Sequence, residues 1–171
     1  TSEKLGPENI SELLNDYFAT MNDIIFKHEG TVDKFIGDAI MVIFGAPVEM
    51  DAQDQAEKAV SCARAMQAAM NEVSEAFEEQ GADAVKMRIG IHQGDAVVGN
   101  FGSDKRSDYT AIGPTVNLAS RIESVCDLGE IFISEAIANE TNHDREALGN
   151  YELKGVKTPQ KLFRLKKLLN F

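Results

Sequence analysis

Between Pro7 and Lys27 apolar side chains recur at Ile10, Leu13, Leu14, Tyr17, Phe18, Met21, Ile24 and Ile25. This unbroken i, i+3, i+4 spacing predicts an amphipathic helix. His28-Glu29-Gly30 ends it, with Gly30 expected as the left-handed cap. The period then changes. Thr31 to Ile36 and Ala39 to Phe44 are short β-branched and aromatic runs joined by Gly37-Asp38, the pattern of a tight hairpin with Gly at the first turn position. Asp51 opens a second long helix whose stripe runs from Ala56 to Phe77 and frays near Gly81. A second hairpin is expected from Met87 to Gln93, a Gly94-Asp95 turn, and Ala96 to Phe101. After a polar loop (Gly102 to Ser107) come a short strand near Tyr109 and a helix from Pro114, a first-turn proline, to about Cys126. Ile131 to Ile133, Tyr151 to Leu153 and Leu162 to Leu165 read as strands. The pattern describes one α/β domain with a partly antiparallel sheet.

Composition narrows the class. The chain has 171 residues, 43% hydrophobic and 26% charged, enough for one domain with a real core. The longest apolar run, Ala39 to Phe44, falls far short of the roughly 18 residues of a spanning helix. No secretory leader is visible. Cys62 and Cys126 lie within apolar helical patterns, where buried free thiols are expected, and no disulfide framework exists; a reducing, cytoplasmic setting fits. The net charge of −11 argues against a nucleic-acid surface, which needs a basic stripe to release counterions. A polyanionic substrate would have to meet locally placed cations or metal ions.

Two places hold candidate chemistry. In the first hairpin, simple strand alternation puts Val32, Lys34 and Ile36 on one face. A lysine between apolar neighbours either snorkels to solvent or reaches a partner. Asp38 sits at the turn, where its carboxylate either satisfies turn preference or projects toward a cation. In the helix from Pro114, Leu118, Ala119, Ile122, Val125 and Cys126 share one side, while Asn117 and Arg121 lie opposite, flanked by Ser120 and Ser124. That face is either a solvated surface or a binder of ribose and phosphate, since arginine offers a planar donor fork. Gly99 and Gly102 would permit close approach of a ligand or another subunit. There is no Walker P-loop, dinucleotide fingerprint, Ser/His/Asp array or metal-ligand spacing among His28, His92 and His143.

The stretch Gly30-Thr-Val-Asp-Lys-Phe-Ile-Gly-Asp-Ala-Ile-Met resembles the second and third strands of class III adenylyl cyclase domains. Met87-Arg-Ile-Gly-Ile-His-Gln-Gly with Val97-Val-Gly-Asn is similar to the family's next hairpin. Ser107-Asp-Tyr-Thr-Ala-Ile-Gly-Pro-Thr-Val-Asn-Leu-Ala-Ser-Arg resembles its substrate-binding loop and helix, and Glu152-Leu-Lys-Gly-Val-Lys its triphosphate-lysine segment. The matches span nearly the whole chain in order.

The resemblance implies a ferredoxin-like α+β sandwich over residues 1–171, its mixed sheet mostly antiparallel and packed by helices. It implies that ATP is converted to 3′,5′-cyclic AMP and pyrophosphate. Asp38 would hold metal, as one of two aspartates binding paired Mg²⁺ or Mn²⁺ ions. Lys34 and Thr110 would read the adenine edge, Asn117 would orient the ribose, Arg121 would stabilise charge at the reacting phosphate, and Lys157 would bind the triphosphate. Guanylyl relatives carry an acidic residue at the Lys34 position. A homodimer with shared sites is implied, with Asp38 from one subunit and Lys34, Thr110, Asn117 and Arg121 from the other. Threonine at position 110 also suggests bicarbonate responsiveness. The family's first metal aspartate lies on a strand before the first helix. Thr1 to Leu5 resemble the residues just after it, and no position matches the aspartate itself. The expectation is therefore a domain without that strand, or a longer chain with an upstream regulatory domain or tether. The competing readings are a non-catalytic sensing or dimerisation module and a guanylyl cyclase. A diguanylate cyclase is disfavoured because Phe35-Ile-Gly-Asp-Ala lacks that family's Gly-Gly-Asp/Glu-Glu-Phe signature.

Overall fold

The computed structural model describes residues 6–103 and 106–167, so the match at Thr1 to Leu5 and part of the polar loop fall outside the described residues. The first helix, α1, spans Pro7–Lys27, with Pro7 in its first turn and Glu8 toward the positive end of the dipole. Its end corrects one expectation. Glu29, not Gly30, takes the left-handed conformation, at φ 63°. The N–H groups of Glu29 and Gly30 donate to the carbonyls of Phe26 and Ile25, closing a Schellman motif. Gly30 is a glycine for a steric reason instead. A Cβ there would lie 2.9 Å from Phe44 and 3.0 Å from Ile25 and Val42.

Strands β1 (Thr31–Ile36) and β2 (Ala39–Ile43) form the expected hairpin, turning at Gly37 with φ 62°. Helix α2 (Ala52–Glu79) is capped by the Asp51 side chain, which accepts from the Asp54 N–H at 2.8 Å. Strand β3 is only Ile89–Ile91, and β4 (Val97–Ser103) is followed by β5 (Arg106–Ile112). Helix α3 (Pro114–Val125), β6 (Ile131–Ser134), a short α4 (Glu135–Glu140), β7 (Arg145–Tyr151) and β8 (Gln160–Leu165) complete the order. The last helix escaped the periodicity analysis. It is one and a half turns long, and its signal is the Ser134 cap.

The expected second hairpin does not form. β3 pairs in parallel with β6, whereas β4 pairs antiparallel with β5. Side chains divert the segment between β3 and β4 before it can close a turn. Gln93 Nε2 donates to the Ala52 carbonyl at 2.7 Å, and Thr115 Oγ1 donates to the Asp95 carbonyl at 2.5 Å. The sheets are β1-β2, β3-β6-β8-β7 and β4-β5, with every pair but β3–β6 antiparallel. This is the mixed, mostly antiparallel α/β arrangement expected.

Apolar clusters between the elements hold the layers together, one of them Leu13 of α1 with Phe77 of α2 and Ala82. Met21 and Ile25 of α1 meet Cys62 and Met66 of α2 over the β1–β2 hairpin. Val60 and Ala63 on another face of α2 pack on Ile131 and Ile133 of β6. Ile122 and Cys126, on and just after α3, pack against Phe132 and Leu162. Both cysteines are free and buried, as expected, and burial pushes each thiol up to about 11. Among the described residues no helix is long and apolar enough to cross a membrane.

Candidate active site

The register of β1 against β2 changes the reading of the first hairpin. Val32 stands opposite Val42, but the next pair is Lys34 with Met41, leaving Asp33 as an extra residue in a bulge. A bulge resets the alternation. Val32 and Phe35 therefore share the face of Val42 and Ile40, toward α1, where the Phe35 ring packs tilted against Phe18 at 4.6 Å between centroids. Lys34 and Ile36 lie on the other face. The expected grouping of Val32 with Lys34 and Ile36 is thus corrected by one inserted residue.

The bulge sends Asp33 into β5. Its side chain is 1% exposed, and its Oδ2 accepts from the Thr110 hydroxyl at 2.6 Å and the Ala111 N–H at 3.2 Å. Its Oδ1 is buried without a hydrogen bond, 3.8 Å from the Lys34 ammonium. Lys34 and Thr110, far apart in sequence, are thereby gathered around one carboxylate. Lys34 is 47% exposed and Thr110 is 7% exposed. Directly opposite Thr110 on β4 stands Gly99, and even an added Cβ there would meet nothing closer than Phe101 at 3.9 Å.

Asp38 is exposed at the β1–β2 turn. The Tyr17 hydroxyl donates to its backbone carbonyl at 3.5 Å, and burial, reinforced by the Asp38 charge, pushes the Tyr17 phenol up to about 12. Among the described residues no three His, Cys, Asp or Glu side chains gather to hold a metal ion. Asp38 is one described carboxylate that could hold a divalent cation, since Mg²⁺ is commonly bound by one or two carboxylates together with substrate phosphates and water.

Helix α3 starts at Gly113, whose φ of 131° suits glycine, immediately after β5. Its apolar side enters the core as expected. Asn117 is exposed and Arg121 half-buried on the polar side. The helix is seated on β3 at Gly90, where a Cβ would be 2.8 Å from Glu123 Cα and 3.0 Å from the Ala119 carbonyl. Arg88 Nε also donates to Glu123 Oε1 at 3.1 Å. Lys157 lies exposed in the loop between β7 and β8. Within one chain, then, Lys34 and Thr110 converge, Asn117 and Arg121 share a helix face, and Asp38 and Lys157 stand on separate loops.

Sequence reasoning missed Asp33. Its signal was a carboxylate inside a short apolar strand, where aspartate is depleted. Alternation placed it on the face opposite Lys34, so its partnership with Lys34 and Thr110 was invisible.

This alternation of helices with a bulged hairpin, a β4–β5 ribbon and a four-stranded mixed sheet is the architecture of a nucleotide cyclase domain. The chain belongs to the adenylate and guanylate cyclase catalytic domain family, whose family model matches residues 1–167. It is 38% identical to adenylate cyclase 1 of Rhizobium meliloti (strain 1021) over 72% of this chain and 18% of that protein. Among solved structures, the adenylyl cyclase CyaB from P. aeruginosa superposes with a TM-score of 0.93 at 38% identity, covering 98% of this chain and 87% of that one. The guanylyl cyclase Cya2 superposes at 0.88 with 42% identity, covering 96% and 84%. The chain spans 18% to 28% of the length of the first curated relatives it matches. Overall similarity does not separate the two purines, since the guanylyl cyclase is the more identical of these two structures.

Proposed function

We propose that this domain is the catalytic part of an adenylyl cyclase that converts ATP to 3′,5′-cyclic AMP and pyrophosphate. The observation that carries the reading is the convergence of Lys34 and Thr110 around Asp33. A lysine ammonium only donates hydrogen bonds, which suits the adenine N1 acceptor. Guanine presents an N1–H there and would call for an acidic partner.

In the proposed reaction the ribose 3′-oxygen attacks the α-phosphorus in line. The new O3′–P bond forms as the bond to the bridging oxygen breaks, pyrophosphate leaves and the hydroxyl proton passes to solvent. Asn117 orients the ribose, Arg121 offers its guanidinium to the charge on the reacting phosphate, and Lys157 meets the triphosphate. Asp38 is proposed as one metal ligand, a divalent-cation pair needing donors beyond those described. Asp38, Lys157 and the Asn117–Arg121 face of α3 lie on separate segments, an arrangement that suits a homodimer with sites completed between subunits. The β4–β5 ribbon offers a surface for it, with Val97 61% and Ile112 47% exposed and paired across the strands.

The test is product identification. Full-length protein is incubated with Mn²⁺ and either ATP or GTP, and the cyclic nucleotide is identified by mass spectrometry. Cyclic AMP as the main product supports the proposal. Cyclic GMP as the main product overturns the purine assignment, and no product from either nucleotide favours a sensing module.

A further inference from the structure

We propose that Asp33 is a specificity-positioning residue, one that locks the Thr110 hydroxyl as a hydrogen-bond acceptor toward the purine. The inference rests on the adenylyl cyclase reading of Lys34 and Thr110 and assigns a cause to its selectivity.

A threonine hydroxyl carries one proton and can present either a donor or an acceptor to a ligand. Left free, it would accept from the 6-amino group of adenine or donate to the 6-oxo group of guanine, and so would select neither. In this fold it is not free. Its oxygen lies 2.6 Å from Asp33 Oδ2, and a carboxylate only accepts. The other neighbour, the Ala111 carbonyl, lies at 3.4 Å, too long to hold the proton by itself. The proton therefore points to Asp33, leaving lone pairs on the ligand side.

The carboxylate itself has little freedom to release that proton. Oδ2 also receives the Ala111 N–H at 3.2 Å, a backbone donor whose direction is fixed by the β4–β5 ladder. Burial of the side chain keeps water from substituting for either bond. Oδ1 lies 3.8 Å from the Lys34 ammonium, beyond hydrogen-bond distance, so the ammonium stands beside the hydroxyl without being fixed by the carboxylate. The result is an obligate donor beside an enforced acceptor. Adenine presents the complementary acceptor at N1 and donor at the 6-amino group. Guanine presents the reverse at both positions, giving donor against donor and acceptor against acceptor. Gly99 leaves the neighbouring strand position open beside Thr110. The bulge is what makes the device available, since regular alternation would not deliver both Asp33 and Lys34 to this place.

The experiment measures kcat/KM for ATP and for GTP in full-length protein and takes their ratio. Asp33→Ala frees the hydroxyl, and the ATP:GTP ratio is expected to fall about tenfold or more. Asp33→Asn should hold the ratio within about threefold, because an amide oxygen still accepts from both donors. In a Thr110→Val background, Asp33→Ala should leave the ratio unchanged. If Asp33→Ala fails to fold, Asp33→Ser asks the same question with a hydroxyl that enforces no polarity. A folded Asp33→Ala or Asp33→Ser protein whose ATP and GTP turnover fall by one common factor overturns the proposal. So does an Asp33→Asn ratio that falls as far as that of Asp33→Ala, which would assign the effect to charge. A wild-type protein with no preference for ATP would instead sink the underlying purine reading.

Discussion

Gly90→Ala should detach helix α3 from its seat while leaving purine choice intact. Gly90 is the middle residue of β3, paired with Phe132 of β6, and its missing side chain is replaced by the backbone of α3. An added Cβ would lie 2.8 Å from Glu123 Cα and closer still to the Glu123 nitrogen, whereas ordinary contacts begin near 3.4 Å. Both partners are backbone, so no side chain can swing aside. The helix must retreat by about 1 Å, a displacement of the size that overpacking imposes on a closely packed core. That lifts Ile122 and Leu118 from the cluster around Phe132 and Leu162. Overpacking of this kind costs about 3 kcal/mol, the upper end of its usual range. At about 2–4 °C per kcal/mol for a domain of this length, the melting temperature should fall by about 6–12 °C.

The same shift moves Asn117 and Arg121, which ride on α3, relative to any phosphate they meet. A displacement of about 1 Å at a positioning group costs on the order of 100-fold in turnover. Lys34 and Thr110 sit on β1 and β5, so the ATP:GTP ratio should hold even as kcat drops. The assay pairs thermal unfolding by circular dichroism with cyclic-nucleotide formation at saturating ATP. Gly99→Ala is the stability control, since its Cβ would meet nothing closer than 3.9 Å and should move the melting temperature by less than about 2 °C. A Gly90→Ala protein that melts within about 2 °C of wild type with unchanged kcat would refute the close seating of α3 on β3.

Three other perturbations probe separate parts of the argument. Asp38→Ala and Arg121→Ala proteins should each be nearly inactive, and equal mixing should restore about a quarter of wild-type turnover, because half of the dimers carry one intact site; verified heterodimers without turnover would remove the shared-site proposal. Cys62 and Cys126, buried and pushed up to about 11, should have roughly 1 in 3,000 thiols ionised at pH 7.5. Both should react with a disulfide reagent far more slowly in the folded protein than in denaturant, and equal rates would contradict their burial. Burial holds the His92 imidazole below its ordinary 6.5, while its Nδ1 meets the Ser134 hydroxyl at 2.8 Å beside α4. A depressed folded value means that the unfolded chain binds the proton first. His92 therefore contributes stability in full above pH 6.5, and that contribution is lost as pH falls through the lowered folded value. Melting temperatures between pH 7 and pH 5 should fall more steeply for wild type than for His92→Gln; parallel slopes would exclude this titration.

The apolar pattern located α1, α2, α3 and the β1–β2 hairpin to within a residue or two, because each is specified by neighbours a few positions away. Strand partnership is decided elsewhere. Nothing within residues 87–101 distinguishes a hairpin from two strands with separate partners. The choice depends on Gln93 reaching α2 and on Thr115 reaching back to Asp95, contacts that span tens of residues. The short α4 was hidden because one and a half turns carry too few apolar positions to show a period.

The candidate site divides in the same way. Lys34, Thr110, Asn117 and Arg121 could be named as candidates because each lies in a local motif. Asp33 was not, although it adjoins Lys34 in sequence. Alternation is a rule about regular strands, and one extra residue reverses the face of everything beyond it. The bulge could have been suspected from its consequence: a carboxylate on the core side of a short apolar strand requires either a partner or a reset of the alternation. The structure supplies both, and they depend on each other. Without the bulge Asp33 and Lys34 would lie on opposite faces of β1, and without Thr110 and the Ala111 N–H the burial of Asp33 would leave a carboxylate uncompensated. The irregularity in β1 and the polar pairing across to β5 are therefore one feature, so a substitution at Thr110 should disturb β1 as well as the purine edge it is proposed to read.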